Sequence, residues 1–110
     1  MSMTLQYSED APDRRAVDEL PGATVIEFGT GWCGHCKAAQ PLLATVFSQY
    51  PAVRHLKVED GPGRALGRAF RVKLWPTLVF LRDGEEVARL VRPGAVSLIE
   101  EAFEQMTGQG

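Results

Sequence analysis

The chain has 110 residues, 45% of them hydrophobic and 24% charged, and a formal net charge of −2. A fold of that length can bury a self-sufficient core, so residues 1–110 read as one domain, and the ordinary composition excludes disordered, collagenous and low-complexity classes. The small net charge and the lack of a basic run exclude partners held by bulk charge, so no nucleic acid and no anionic membrane surface is expected.

The amino-terminal stretch MSMTLQYSEDAPDRR has no apolar core of the kind a secretory signal needs, and no apolar run reaches the length of a membrane span. A cytoplasmic location follows as an expectation, in a reducing environment where two neighbouring cysteines are not a permanent brace. Residues 5–7 offer a weak candidate strand. Residues 12–20, PDRRAVDEL, open with proline and aspartate and stop at Pro21-Gly22, which predicts a short helix. ATVIEFG at 23–29 is short, β-branched and nearly unbroken, as a strand covered on both faces requires. Glu27 interrupts that run, and a carboxylate there is costly unless something uses it.

From 33 to 50 the spacing of Leu42, Leu43, Val46, Phe47 and Tyr50 is helical, with a kink expected at Pro41. Residues 52–60 alternate as a strand, and 61–70 give a loop and a short helix. Together with the first strand these form a parallel β-α-β unit. Residues 77–84 and 85–92 are two strands meeting at Asp83-Gly84, a hairpin signal. A last amphipathic helix is expected from Ser97, with Ser97 and Glu100 as a capping box. The order predicts an α/β fold, a central mixed sheet of four to five strands with helices on both faces.

Both cysteines lie in the segment WCGHCK, three positions apart at the start of the long helix. Cys33 sits where free backbone N–H groups and the helix dipole favour negative charge. A thiolate is the attacking species in disulfide exchange, so Cys33 is the candidate nucleophile and Cys36, one turn further in, the resolving thiol. His35 lies between them. When protonated it adds positive charge beside the Cys33 sulfur, stabilises the reduced form and makes the disulfide a better oxidant. A structural zinc site would need four ligands, and two thiols plus two histidines, one of them pinned between the cysteines, do not supply it. Haem attachment would need a histidine where Lys37 stands. No metal or cofactor is expected, and C-x-x-C beside a β-α-β pattern favours redox chemistry.

Several residues together resemble the thioredoxin superfamily: WCGHCK, a proline five residues after the second cysteine, an acid six residues before the first, WPT and DG downstream, and GA before the last helix. The likeness spans residues 17–107. It implies a thioredoxin fold, a cis peptide bond before Pro76 facing the dithiol, and a peptide groove lined by Trp32, Gly34, Trp75, Gly94 and Ala95, with Trp75 offering backbone groups to an extended substrate. Taken alone, the two tryptophans read equally as packing residues. The resemblance also identifies Glu27 as the buried acid that accepts the proton of Cys36, with a pKa raised by desolvation. The chain departs from the family at Gly29, where a bulky aromatic is usual, and at His55, which replaces a lysine commonly paired with the acid. The CGHC sequence is similar to that of protein disulfide isomerase domains.

Two functions of different kind are compatible with these residues. One is a monomeric thiol-disulfide oxidoreductase that acts on disulfide-containing or dithiol proteins and draws electrons from a thioredoxin reductase or glutathione. The other is a binding module that holds a partner in the Trp32, Trp75 and Pro76 groove, redox turnover being secondary. A third arrangement, metal or an iron-sulfur centre shared by two subunits' cysteines, would show as colour or zinc.

Overall fold

The computed structural model describes residues 3–108. In chain order these form α1 (Arg14–Asp18), β1 (Ala23–Gly29), α2 (Gly34–Phe47), β2 (Arg54–Glu59), α3 (Ala65–Ala69), β3 (Thr77–Arg82), β4 (Glu85–Val91) and α4 (Val96–Thr107). The strands make a four-stranded sheet in the order β2-β1-β3-β4. β1 pairs in parallel with β2 and antiparallel with β3, and β3 pairs antiparallel with β4. This is the mixed sheet expected from the order of elements. Residues 5–7 do not form a fifth strand; next to them Ser8 makes an isolated parallel bridge with Val58 at the sheet edge.

Alternation along the strands divides the core in two. Val25, Leu78 and Phe80 pack with Leu43, Val46 and Phe47 of α2 and with Ile99, Phe103 and Met106 of α4. Ile26, Phe28, Val79 and Leu81 pack on the other face with Val17, Leu66 and Phe70. Glu27 shares the parity of Val25, so its carboxyl points under α2 instead of into the second cluster.

The β3–β4 hairpin turns at Asp83 and Gly84, whose φ values of 49° and 82° are those of the two-residue turn that matches strand twist. A Cβ on Gly84 would lie 2.0 Å from the Asp18 carbonyl oxygen, so only glycine fits. α2 runs through Pro41. The capping box expected at Ser97 does not form. α4 begins at Val96 with Ala95 as its N-cap, which has no side chain able to accept a hydrogen bond. Val96 packs on the core, and that burial draws the helix start ahead of Ser97.

Phe103 is fully buried and meets Phe47, Tyr50 and Phe80 at ring-centroid distances of 5.0, 5.0 and 5.6 Å. Replacing it with alanine removes the ring that joins α4 to α2 and β3. Phe103→Ala is expected to lower unfolding free energy by about 3–5 kcal/mol, measured as a shift in the urea midpoint; a loss under about 1 kcal/mol would contradict the packing described.

Candidate active site

Cys33 is the N-cap of α2, in extended conformation, and its sulfur accepts the backbone N–H of Cys36 at 3.2 Å. The first turn of the helix therefore directs an N–H at this sulfur, as the position of the pair in the sequence predicts. Both cysteines are free. Cys33 is 8% exposed and Cys36 1%, so Cys33 is the more accessible of the two. His35 and Gly34 are exposed on the first turn of α2.

Pro76 follows a cis peptide bond with Trp75 and is buried, as the family resemblance implied. Trp32 is 73% exposed, and its ring meets that of Trp75 edge to face at 5.7 Å. Gly94 is exposed, Ala95 half-buried, and both stand in the loop between β4 and α4. The backbone of Trp75 is less free than expected, because its carbonyl accepts Arg92 Nε at 2.8 Å. Its indole N–H donates to Asp60 at 2.8 Å.

Glu27 is fully buried. Its Oε2 accepts the Tyr7 hydroxyl at 2.6 Å and Gln40 Nε2 at 2.9 Å. Its Oε1 lies 2.9 Å from His55 Nε2. The Thr4 backbone N–H donates to His55 Nδ1 at 2.8 Å; Nδ1 is thus an acceptor, and the network assigns the proton to Nε2, which donates to Glu27. The ring is held in place by stacking on Phe47 at 4.4 Å. Lys57, 5% exposed, brings its Nζ to 3.9 Å from Oε2 and donates to Gln40 Oε1 at 2.7 Å and the Leu5 carbonyl at 3.0 Å.

This network corrects the expectation for the acid. Burial does push the Glu27 carboxyl up, but the His55 and Tyr7 hydrogen bonds and the nearby positive charge outweigh it and hold the carboxyl below its ordinary value of 4.5. Every group facing the carboxylate is a donor, so the ionised form is favoured. Cys36 moves the other way, pushed up to about 11 by burial and by the adjacent Cys33, against a downward pull from the Thr30 backbone N–H and the Tyr7 hydroxyl.

Tyr7 and Lys57 were not found from sequence. Lys57 alternates with Val58 as an outward residue would, and only the face occupied by Glu27 shows that it turns inward. A signal for Tyr7 did exist in Gly29. A Cβ there would lie 2.6 Å from both Cys36 Sγ and the Tyr7 hydroxyl, so the amino-terminal segment fills the space left by the missing aromatic. His55, which stands where the family commonly has a lysine, meets the acid.

A family model described as Thioredoxin matches residues 8–104. Thioredoxin H-type 1 of Nicotiana tabacum is 37% identical over 73 residues, 66% of this chain and 58% of that protein. Thioredoxin H2-1 of Oryza sativa subsp. japonica is 39% identical over 67 residues, 61% of this chain and 49% of that protein. The chain thus spans about half the length of these curated relatives. A solved structure of thioredoxin 2 from Pseudomonas aeruginosa PAO1 in its reduced form superposes with a TM-score of 0.88 and 68% identity, covering 98% of this chain and 100% of that one.

A carboxyl lowered on folding stabilises the protein above its unfolded value, and that contribution is lost as pH falls through the folded value. Below about pH 4.5 the wild type should therefore lose stability more steeply than Glu27→Gln, so that the gap between them narrows on acidification. Parallel acid-unfolding limbs for the two proteins would contradict the lowered carboxyl.

Proposed function

Because the chain belongs to the thioredoxin family, we propose that it is a thiol-disulfide oxidoreductase exchanging disulfides with protein substrates through the Cys33 and Cys36 pair. The observation that carries this reading is the Cys33 sulfur at the N-cap of α2, receiving the Cys36 N–H. In the reductive direction the Cys33 thiolate attacks a substrate disulfide, forms a bond to one sulfur and releases the other as a thiolate. Cys36 then loses its proton and attacks the Cys33 sulfur, closing the Cys33–Cys36 disulfide, and the second substrate sulfur leaves with its electron pair. The oxidative direction reverses these steps.

Trp32, Gly34, Trp75, Pro76, Gly94 and Ala95 form the surface against which an extended peptide docks. His35, on the first turn of α2 beside Cys33, tunes the couple. Glu27 acts as a fixed charge that holds its donors in register; a carboxylate satisfied by so many donors is a poor proton acceptor. The residues act as one domain and as a monomer in a reducing compartment such as the cytoplasm, with a thioredoxin reductase or glutathione as electron partner. No helix among the described residues is long and apolar enough to cross a membrane.

The exposed Trp32 also favours a second reading, a module that grips a partner in this groove without turnover. Insulin reduction and refolding of scrambled ribonuclease separate the two. An exchanger loses both activities on Cys33→Ser, and Cys36→Ser traps a mixed disulfide that dithiothreitol releases. A partner still retained by the Cys33→Ser, Cys36→Ser double variant, with no catalysis by the wild type, would establish the binder. His35→Pro removes the imidazole between the two cysteines and should make the disulfide harder to reduce in a glutathione buffer; an unchanged equilibrium would remove His35 from the tuning role.

A further inference from the structure

Tyr7 stands at the dithiol on a segment outside the β-α-β framework, and the exchange chemistry above gives it no task. Its hydroxyl donates to Glu27 Oε2 at 2.6 Å, and both it and Cys36 Sγ crowd the point where a Gly29 side chain would begin, each 2.6 Å away. The ring is fixed from several sides. Lys57 Nζ lies 4.6 Å over it, Lys57 also donates to the Leu5 carbonyl, and Ser8 exchanges backbone hydrogen bonds of 2.9 Å with Lys57 and Glu59 on the β2 edge.

We propose that the Tyr7 hydroxyl is the hydrogen-bond donor that stabilises the Cys36 thiolate during resolution, donating to Glu27 while Cys36 is a thiol and turning to the sulfur as its proton leaves. This rests on the exchange reading given above. Glu27 tolerates the loss because Gln40, His55 and Lys57 remain around it. Burial and the charge of Glu27 hold the phenol far above its ordinary value, so Tyr7 keeps its proton and acts as a donor throughout. Its hydrogen bond pulls Cys36 down, against burial and the neighbouring Cys33.

Glu27 is already satisfied by donors, so the Cys36 proton goes elsewhere. An open cavity of about 340 Å³ lined by Tyr7, Thr30, Cys36, Gln40 and Lys57 adjoins the sulfur, which is room for water. Thr30 Oγ1, buried on this lining, has no hydrogen-bond partner among the described residues. In the step, the Cys36 S–H proton passes to water, the thiolate attacks Cys33 Sγ of the mixed disulfide, the Cys33–substrate S–S bond breaks, and the substrate sulfur leaves with the electron pair and is protonated by solvent.

Reaction of the reduced protein with dithiobis(nitrobenzoate) reports attack and resolution separately. Attack by Cys33 releases one thionitrobenzoate, and attack by Cys36 on the resulting mixed disulfide releases the second. Tyr7→Phe keeps the ring and removes the donor. The expected result is a first release within about two-fold of wild type and a second release slowed roughly 10-fold or more. The pH midpoint of the second release should move upward, because the thiolate has lost a donor. The other ionisable groups around this sulfur and its cavity, Cys33, Lys37, Glu27, Lys57 and Glu59, are common to both proteins.

Gly29→Ala keeps the phenol but wedges a methyl group between it and the sulfur, and should slow the same phase. An unchanged second release in a folded Tyr7→Phe protein, or equal slowing of both releases, overturns the donor role while leaving the exchange reading intact. Absence of the first release from the wild type overturns the exchange reading itself.

Discussion

A carboxylate with no access to water must be surrounded by donors, and the region behind the dithiol is arranged around that requirement. Glu27 sits on β1, and its donors come from the amino-terminal segment, α2 and β2. Losing several of these donors together would leave a buried charge short of partners. The constraint is electrostatic, yet its effect is geometric: through Gln40 it ties the sheet to α2, the helix that starts at the two cysteines.

The two sulfurs then differ for reasons that can be traced to single groups. Cys33 stands at the open end of α2 and takes a backbone N–H from the first turn. Cys36 is one turn deeper, buried, and shifted upward. The proposed exchange uses this asymmetry, since a nucleophile must be accessible while a resolving thiol must wait until the mixed disulfide forms. Trp32 and Trp75 form an edge-to-face pair next to the cis bond that precedes Pro76, on the surface proposed to receive a peptide. Arg92 places a cation on the Trp75 carbonyl.

Much of this was legible in the residues. The unbroken run around Val25 and Ile26 marked a central strand, Asp83-Gly84 marked the hairpin, and two cysteines at a helix start marked the chemistry. What was hidden depended on donors remote in sequence. Glu27 read as an acid raised by burial because burial is visible in its apolar neighbours, whereas Tyr7, Gln40, His55 and Lys57 converge on it only in three dimensions. Tyr7 comes from a stretch with no periodicity, whose only strand-like pairing among the described residues is the bridge at Ser8. Ser97 failed as a cap because Val96 is drawn into the core, a tertiary preference that outweighs a local motif.

The central claim is that the Glu27 carboxyl is ionised in the folded protein because its donors outweigh its burial. The most direct test is a pH titration of the Glu27 side-chain carboxyl carbon by NMR in carbon-13-labelled protein, assigned by comparison with Glu27→Gln. The account predicts a midpoint below the ordinary 4.5. A carboxyl that remains protonated at that pH and titrates toward neutrality would contradict it.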